Sequence, residues 1–282
     1  MEFLPTPAIF GPMSLTCPQK PALLIVGHGS TVNADSSTPT YQHAWTLRKK
    51  NIFSEVHECF WKEEPNFHQS LNQIEANTVY VVPNFISSGY FTEQVIPREL
   101  KLEGPITQHQ NQTFYYCDPV GLHESMTEVL LHRAQEVLDS SGEKLQDPQE
   151  SCLFIFGHGT NLNENSTKII EHQVEKIRSR NIYGECQFAY MEEPPLVKDW
   201  KSLTSKKEVV AVPFFIADGL HSFIDIPVLL GLTEEGIPLQ TKNPHLVEGR
   251  RLWYANAIGT EPLIADLILA QIKKFNETHR IS

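Results

Sequence analysis

Cysteine is scarce in this 282-residue chain: five residues, an odd number, none in Cys-x-x-Cys spacing. A disulfide framework and a thiolate zinc site are therefore disfavoured, and a reducing cytoplasm is the expected compartment. Cys117 and Cys152 lie in apolar, strand-like runs and read as core. Long hydrophobic runs are missing as well. None reaches transmembrane length, and the start MEFLPTPAIFGPM has no basic region ahead of an apolar core, so neither a membrane span nor a leader is expected. Positive charge is in short supply: 23 Lys and Arg against 34 Asp and Glu, a formal net charge of -11. That balance argues against nucleic acid or an anionic membrane as partner, and an acidic substrate would need a local basic patch. There is no Gly-x-Ser-x-Gly elbow, no Gly-x-Gly-x-x-Gly and no P-loop, which disfavours a serine hydrolase and a nucleotide-binding module. With 40% apolar and 20% charged residues, the chain has a globular composition and enough length for one large or two ordinary domains.

What the chain does have is a repeat. LLIVGHGS at 23–30 and LFIFGHGT at 153–160 place a histidine between two glycines, 130 residues apart, at His28 and His158. At that offset Asn33 meets Asn163, Ser36 meets Ser166, and VYVVPNFISSGYFTEQVIP (79–97) lies over VVAVPFFIADGLHSFIDIP (209–227). VHECFWKEEP and GECQFAYMEEP both end in Glu-Glu-Pro if a gap of one residue is allowed, and FYYCDPVG (114–121) matches LWYANAIG (252–259) after an insertion. So many matches in one order indicate duplication. Each half reads as strand, helix (about 41–50 and 164–180), strand, helix, strand, loop, strand and closing helix (122–138 and 261–275). The expected fold is α/β, with two similar lobes, each a small parallel sheet flanked by helices. The expected division is an extension at 1–20, repeats at 21–139 and 151–282, and a polar linker at 140–150.

In an open parallel sheet, ligands bind beyond the carboxyl ends of the strands, and both Gly-His-Gly corners fall there. The proline-flanked loops after the third strands open on the same edge. The second half offers His221 on its loop; the first has Phe91 at that place. His158 and His221 would thus share one cleft and could bind cobalt, nickel, iron or zinc. Two imidazoles make a weak, open site, which suits a metal that is handed on. Glu192 and Glu193 are candidates for a third ligand or a base, with Glu63 and Glu64 as their first-half counterparts. Asp218 and Asp225 flank His221 and could orient its ring. The aromatic residues Phe85, Tyr90, Phe91, Phe214 and Phe215 border the cleft. The remaining nine histidines show no useful spacing and are expected at the surface.

The pairing of Gly-His-Gly at 157–159 with Gly-x-His-x-x-x-Asp-Ile-Pro at 219–227 resembles the sirohydrochlorin chelatases of the CbiX and class II chelatase family, in the long form with two fused repeats. The resemblance spans about residues 20–275. It implies two chelatase-like lobes with a tetrapyrrole in the cleft between them, and insertion of Co²⁺, Fe²⁺ or Ni²⁺ on the route to cobalamin, siroheme or a nickel tetrapyrrole. The metal is then a substrate and no organic cofactor is implied. The family histidines map onto His158 and His221. The family glutamate, four residues before the proline, is replaced by Tyr190 in the second half and Trp61 in the first, so Glu192 or Glu193 would have to substitute. Phe91, Tyr190 and Phe215 are then candidate macrocycle contacts. A substrate with eight carboxylates calls for cations at the cleft mouth: Arg98 and Lys101, or Lys242, Arg250 and Arg251. Two pyrrole protons must leave during insertion, and a neutral imidazole can accept one, so acid below about pH 6 is expected to disable the site. A carrier of metal or tetrapyrrole without turnover is the rival reading. A monomer suffices for a two-lobed cleft, and a homodimer is equally compatible.

Overall fold

The computed structural model describes residues 20–159, 164–237, 239–240 and 242–281. The expected N-terminal extension (except Lys20), Cys17, Thr160 and Asn163 lie outside the described residues. The first lobe runs β1 (Ala22–Gly27), α1 (Thr38–Lys50), β2 (Glu55–Phe60), α2 (Phe67–Leu71), β3 (Thr78–Pro83), α3 (Ile96–Leu100), β4 (Ile106–His109), β5 (Gln112–Tyr116) and α4 (Met126–Ser141). The second repeats it with β6 (Ser151–Gly157), α5 (Glu164–Arg178), β7 (Glu185–Tyr190), α6 (Trp200–Leu203), β8 (Glu208–Pro213), α7 (Ile226–Leu230), β9 (His245–Val247), β10 (Arg250–Tyr254) and α8 (Ile264–His279). The sheets have the orders β2-β1-β3-β5-β4 and β7-β6-β8-β10-β9.

Composition explains the strand order. ALLIVG and SCLFIFG are buried at every position, as a central strand covered on both faces must be. Each pairs in parallel with a neighbour on either side, so its chain exit lies beside the exit of the third strand. The short antiparallel edge strands β4 and β9 were not expected from the sequence, because ITQH and HLV carry no apolar run. A signal was present: Glu248 and Gly249 both have positive φ, the tight-hairpin geometry for which an X-Gly pair is suited. The loops expected after β3 and β8 also differ from the structure, since each becomes a single π-helical turn running into α3 or α7. Pro97 and Pro227, which flank the expected loops in the sequence, occupy the first turn of α3 and α7, where a missing N–H is tolerated.

The closing helices are exchanged. Helix α8 packs on β3 and α1 of the first lobe, and α4 packs on β8, β10 and α5 of the second. Tyr80 Oη donates to Asn276 Oδ1 at 2.8 Å, and Trp253 Nε1 donates to Ser141 Oγ at 3.1 Å. One apolar core therefore includes residues of both sheets and both closing helices. Gly121 and Gly259 are required where the lobes close: a Cβ would stand 1.8 Å from Ile86 O and 1.9 Å from Ile216 O. Cys59, Cys117, Cys152 and Cys186 are free and buried, and burial pushes their thiols up, away from reactivity.

Two histidines expected at the surface, His43 and His123, are buried. His43 Nε2 faces Gly259 O across the lobe boundary at 2.8 Å, and burial lowers its pKa to about 4. Its counterpart at offset 130 is the buried Gln173, which accepts from Thr127 Oγ1 of α4. A folded-state pKa below the unfolded one means that acid favours unfolding. The contribution is fully present above about pH 6.5 and is lost as pH falls towards 4, amounting to about 3 kcal/mol across that window. Denaturant melts of wild type and His43→Gln between pH 7 and 4 are expected to show a shallower pH slope in the variant. Equal slopes would contradict this assignment.

Candidate metal and macrocycle site

The corner after β6 is shaped by what its glycines leave room for. A Cβ on Gly157 would fall 2.2 Å from Ile170 Cδ1. Gly159 has φ of +67°, and a Cβ there would stand 2.4 Å from Tyr190 Cβ and 2.8 Å from Glu193 Cγ. Between them, His158 O accepts from Met191 N and Glu192 N at 3.0 and 3.1 Å. The backbone of the histidine is thus clamped while its side chain stays about one-third exposed. The first corner is built alike: His28 O accepts from Trp61 N and Lys62 N, and Gly29 has φ of +66° with Glu63 packed against it.

These bonds correct the alignment that inserted a gap. Phe60 bridges Asn66 as Tyr190 bridges Leu196, so the halves match at a constant 130. Tyr190 corresponds to Phe60, Met191 to Trp61, Glu192 to Lys62 and Glu193 to Glu63. Glu64 corresponds to Pro194 and has no acidic counterpart.

Parallel pairing of β6 with β8 brings the second histidine alongside. Phe156 pairs with Pro213, Phe214 N donates to Phe156 O, and the chain then reaches His221 at the start of its π-helical turn. The His158 and His221 rings lie edge to face with centroids 4.9 Å apart. His28 and Phe91 repeat this arrangement at 4.6 Å in the first lobe. His221 Nδ1 is 2.7 Å from Asp225 Oδ2, and Phe215 lies 6.0 Å from the His221 ring. Glu192 Oε1 is 3.6 Å from His158 Nε2, close enough for charge attraction but too long for a hydrogen bond. Among the described residues, two buried polar atoms at this corner, His158 Nδ1 and Glu193 Oε1, have no hydrogen-bond partner. Among the described residues, no three His, Cys, Asp or Glu side chains converge as a metal cluster.

Several other expected site residues are committed to partners of their own. Tyr190 is 2% exposed and its hydroxyl donates to Thr167 O, so it supports the Gly159 corner and cannot line the cleft surface. Asp218 is turned inward: its Oδ1 accepts from Ala257 N at 2.7 Å, and burial pushes its pKa up. Arg98 lies on α3 and pairs with Glu99 at 2.7 Å. Arg250 donates to Thr204 O and Lys201 O, and Arg251 pairs with Glu208 and Glu143 at the opposite end of the sheet, so neither serves the cleft mouth. The lobes also meet where Asn165 Nδ2, in the first turn of α5, lies 3.4 Å from Ser88 Oγ in the loop after β3. A cavity of about 440 Å³ at the junction is lined by residues including Asp35, Gln42, Arg133, Asp218 and Phe223. Sequence reasoning did not single out Arg133, a buried cation paired with Glu261 and Glu136.

The family model for CbiX matches residues 22–137 and again 152–275. The chain belongs to the CbiX family. It is 44% identical over 265 residues to a probable sirohydrochlorin cobaltochelatase of Halobacterium salinarum, covering 88% of this chain and 89% of that one. Among solved structures, SirB from Bacillus subtilis with Fe³⁺ superposes with a TM-score of 0.71 at 16% identity, over 94% of this CbiX-family chain and 99% of SirB. A multidomain Deinococcus radiodurans protein described as structurally similar to chelatases also gives 0.71 at 23% identity. It aligns with 89% of this chain, which spans about half (54%) of its length. These likenesses establish the chelatase-like fold. No helix among the described residues is long and apolar enough to cross a membrane.

Gly159→Ala forces a strained φ and displaces Tyr190 and Glu193, at an expected cost of about 1–3 kcal/mol. Gly29→Ala should cost about as much. By Co²⁺ titration, only the Gly159 variant is expected to lose affinity; equal losses would place the metal elsewhere.

Proposed function

We propose that this CbiX-family chain inserts a divalent metal, Co²⁺ or Fe²⁺ with Ni²⁺ chemically admissible, into sirohydrochlorin in cytoplasmic cobalamin or siroheme synthesis. The observation that carries the reading is the facing pair His158 and His221, set where the first lobe faces His28 with a phenyl ring. The name of the Halobacterium salinarum relative supports the substrate class.

The chemistry asks little of the protein beyond placement. Two pyrrole N–H protons must leave as the metal enters, and a metal held too tightly would not transfer. A pair of imidazoles without a third converging group binds a divalent ion openly, and a neutral ring nitrogen can also take a proton. In this reading His158 and His221 hold the cation, one of them accepts a pyrrole proton on the nitrogen that the departing metal frees, and the second proton passes to water. Glu192, 60% exposed and near His158 Nε2, attracts the ion at the mouth. Phe215 borders the macrocycle on the second lobe and Phe91 on the first, where Phe85, Trp61 and Tyr90 surround Phe91. Arg98 on α3 offers a cation to the macrocycle carboxylates. The two repeats, 21–139 and 151–282 joined by 140–150, act as one unit, so a single chain suffices for the cleft.

Anaerobic insertion of Co²⁺ and, separately, Fe²⁺ into sirohydrochlorin tests this by absorbance. Wild type should exceed the protein-free rate, and His158→Ala should lose about 10²-fold or more of the acceleration. Macrocycle binding with no acceleration by either metal would replace the chelatase with a carrier.

A further inference from the structure

His221 is the first residue of the π-helical turn after β8, and a later residue decides the shape of that turn. Pro227 has no N–H, and in a regular helix its ring would press on Phe223 O, four residues back. The chain widens instead, and Ile226 N–H reaches His221 O, five residues back. His221 and Asp225 are left side by side, Nδ1 to Oδ2 at 2.7 Å. Asp225 is also the N-cap of α7, yet its carboxylate makes no capping bond. Among the described residues its partner is the imidazole. A carboxylate only accepts, so Nδ1 carries a proton, and in the neutral ring Nε2 then keeps its lone pair.

The first lobe is an internal control. Its turn is the same, with Ile96 N–H bonded to Phe91 O ahead of Pro97. Where the imidazole becomes Phe91, the carboxylate becomes Val95, 2% exposed against 43% for the Asp225 side chain. The turn therefore forms without the acid, and the acid is present only where there is a ring nitrogen to hold. Asp218, the other acid beside His221, is committed to Ala257 N. His158 is held differently: among the described residues its Nδ1 has no hydrogen-bond partner. Of the two imidazoles, His221 is the one with a carboxylate fixing its tautomer among the described residues.

We propose that Asp225 is a positioning residue, holding His221 as the Nδ1–H tautomer so that Nε2 is presented to the divalent cation. This deepens the metal-delivery reading above and rests on it for the identity of the ligand. The test uses the full chain, ¹⁵N-labelled, with Asp225→Val (the residue of the first lobe) and Asp225→Asn, whose amide oxygen can still accept. Side-chain ¹⁵N–¹H correlation, with His221 assigned from its loss in His221→Gln, should show the Nδ1–H form in wild type and Asp225→Asn and the Nε2–H form in Asp225→Val. Co²⁺ affinity measured without macrocycle should fall about 10- to 100-fold in Asp225→Val and be largely kept in Asp225→Asn. If the valine variant does not fold by circular dichroism, Asp225→Ser, too short to reach the ring, takes its place. An unchanged tautomer or an unchanged Co²⁺ affinity in the short or apolar variant overturns the proposal. Asp225-dependent Co²⁺ binding in a wild type that does not accelerate insertion would support the positioning role while removing the chelatase activity.

Discussion

Parallel pairing of β6 with β8 is the constraint on which the candidate site depends. Two parallel neighbours must leave the sheet at the same edge, so residues 55 or more positions apart in the chain come out side by side. His158 and His221 are neighbours for that reason, and the strand order 2-1-3 places them at the crevice where the direction of winding reverses. The glycines and the proline then refine the aim. Gly159 makes room for Tyr190 and Glu193 beneath the corner, and Pro227 opens the helical turn that carries His221.

The same scaffold in the first lobe carries different side chains at the corner with few changes. His28, Gly29 and Glu63 keep the corner, while Phe91 and Val95 take the places of His221 and Asp225. Exchange of α4 and α8 ties the two lobes into one core, so a lobe whose corner keeps one imidazole, His28, opposite Phe91 and Val95 is still needed to complete the molecule. It covers its partner's sheet and forms the opposite side of the junction.

Much of this was legible in the sequence because the repeat doubled every weak signal. A single Gly-His-Gly says little, whereas two of them at a fixed offset located the central strands, the exits and the pairing of His158 with His221. Four things were hidden. The π-helical turns looked like loops because prolines flank them, and that Pro97 and Pro227 sit in the first turn of α3 and α7 shows only in the structure. Glu-Glu-Pro was matched by identity, although the backbone bonds of His28 and His158 pair Glu63 with Glu193. The roles of Tyr190, Arg250 and Arg251 depend on burial and on which end of the sheet they occupy, and neither is written in a local pattern. Helix exchange was invisible for a related reason: the apolar face of α8 does not say whose sheet it covers.

The central claim is that His158 and His221 together hold the metal. Cobalt K-edge X-ray absorption on the Co²⁺-loaded full chain tests it most directly. Two imidazoles in the inner coordination sphere, falling to one in His221→Ala, are the predicted result. Coordination by oxygen alone, or an imidazole count unchanged by that substitution, would contradict the account.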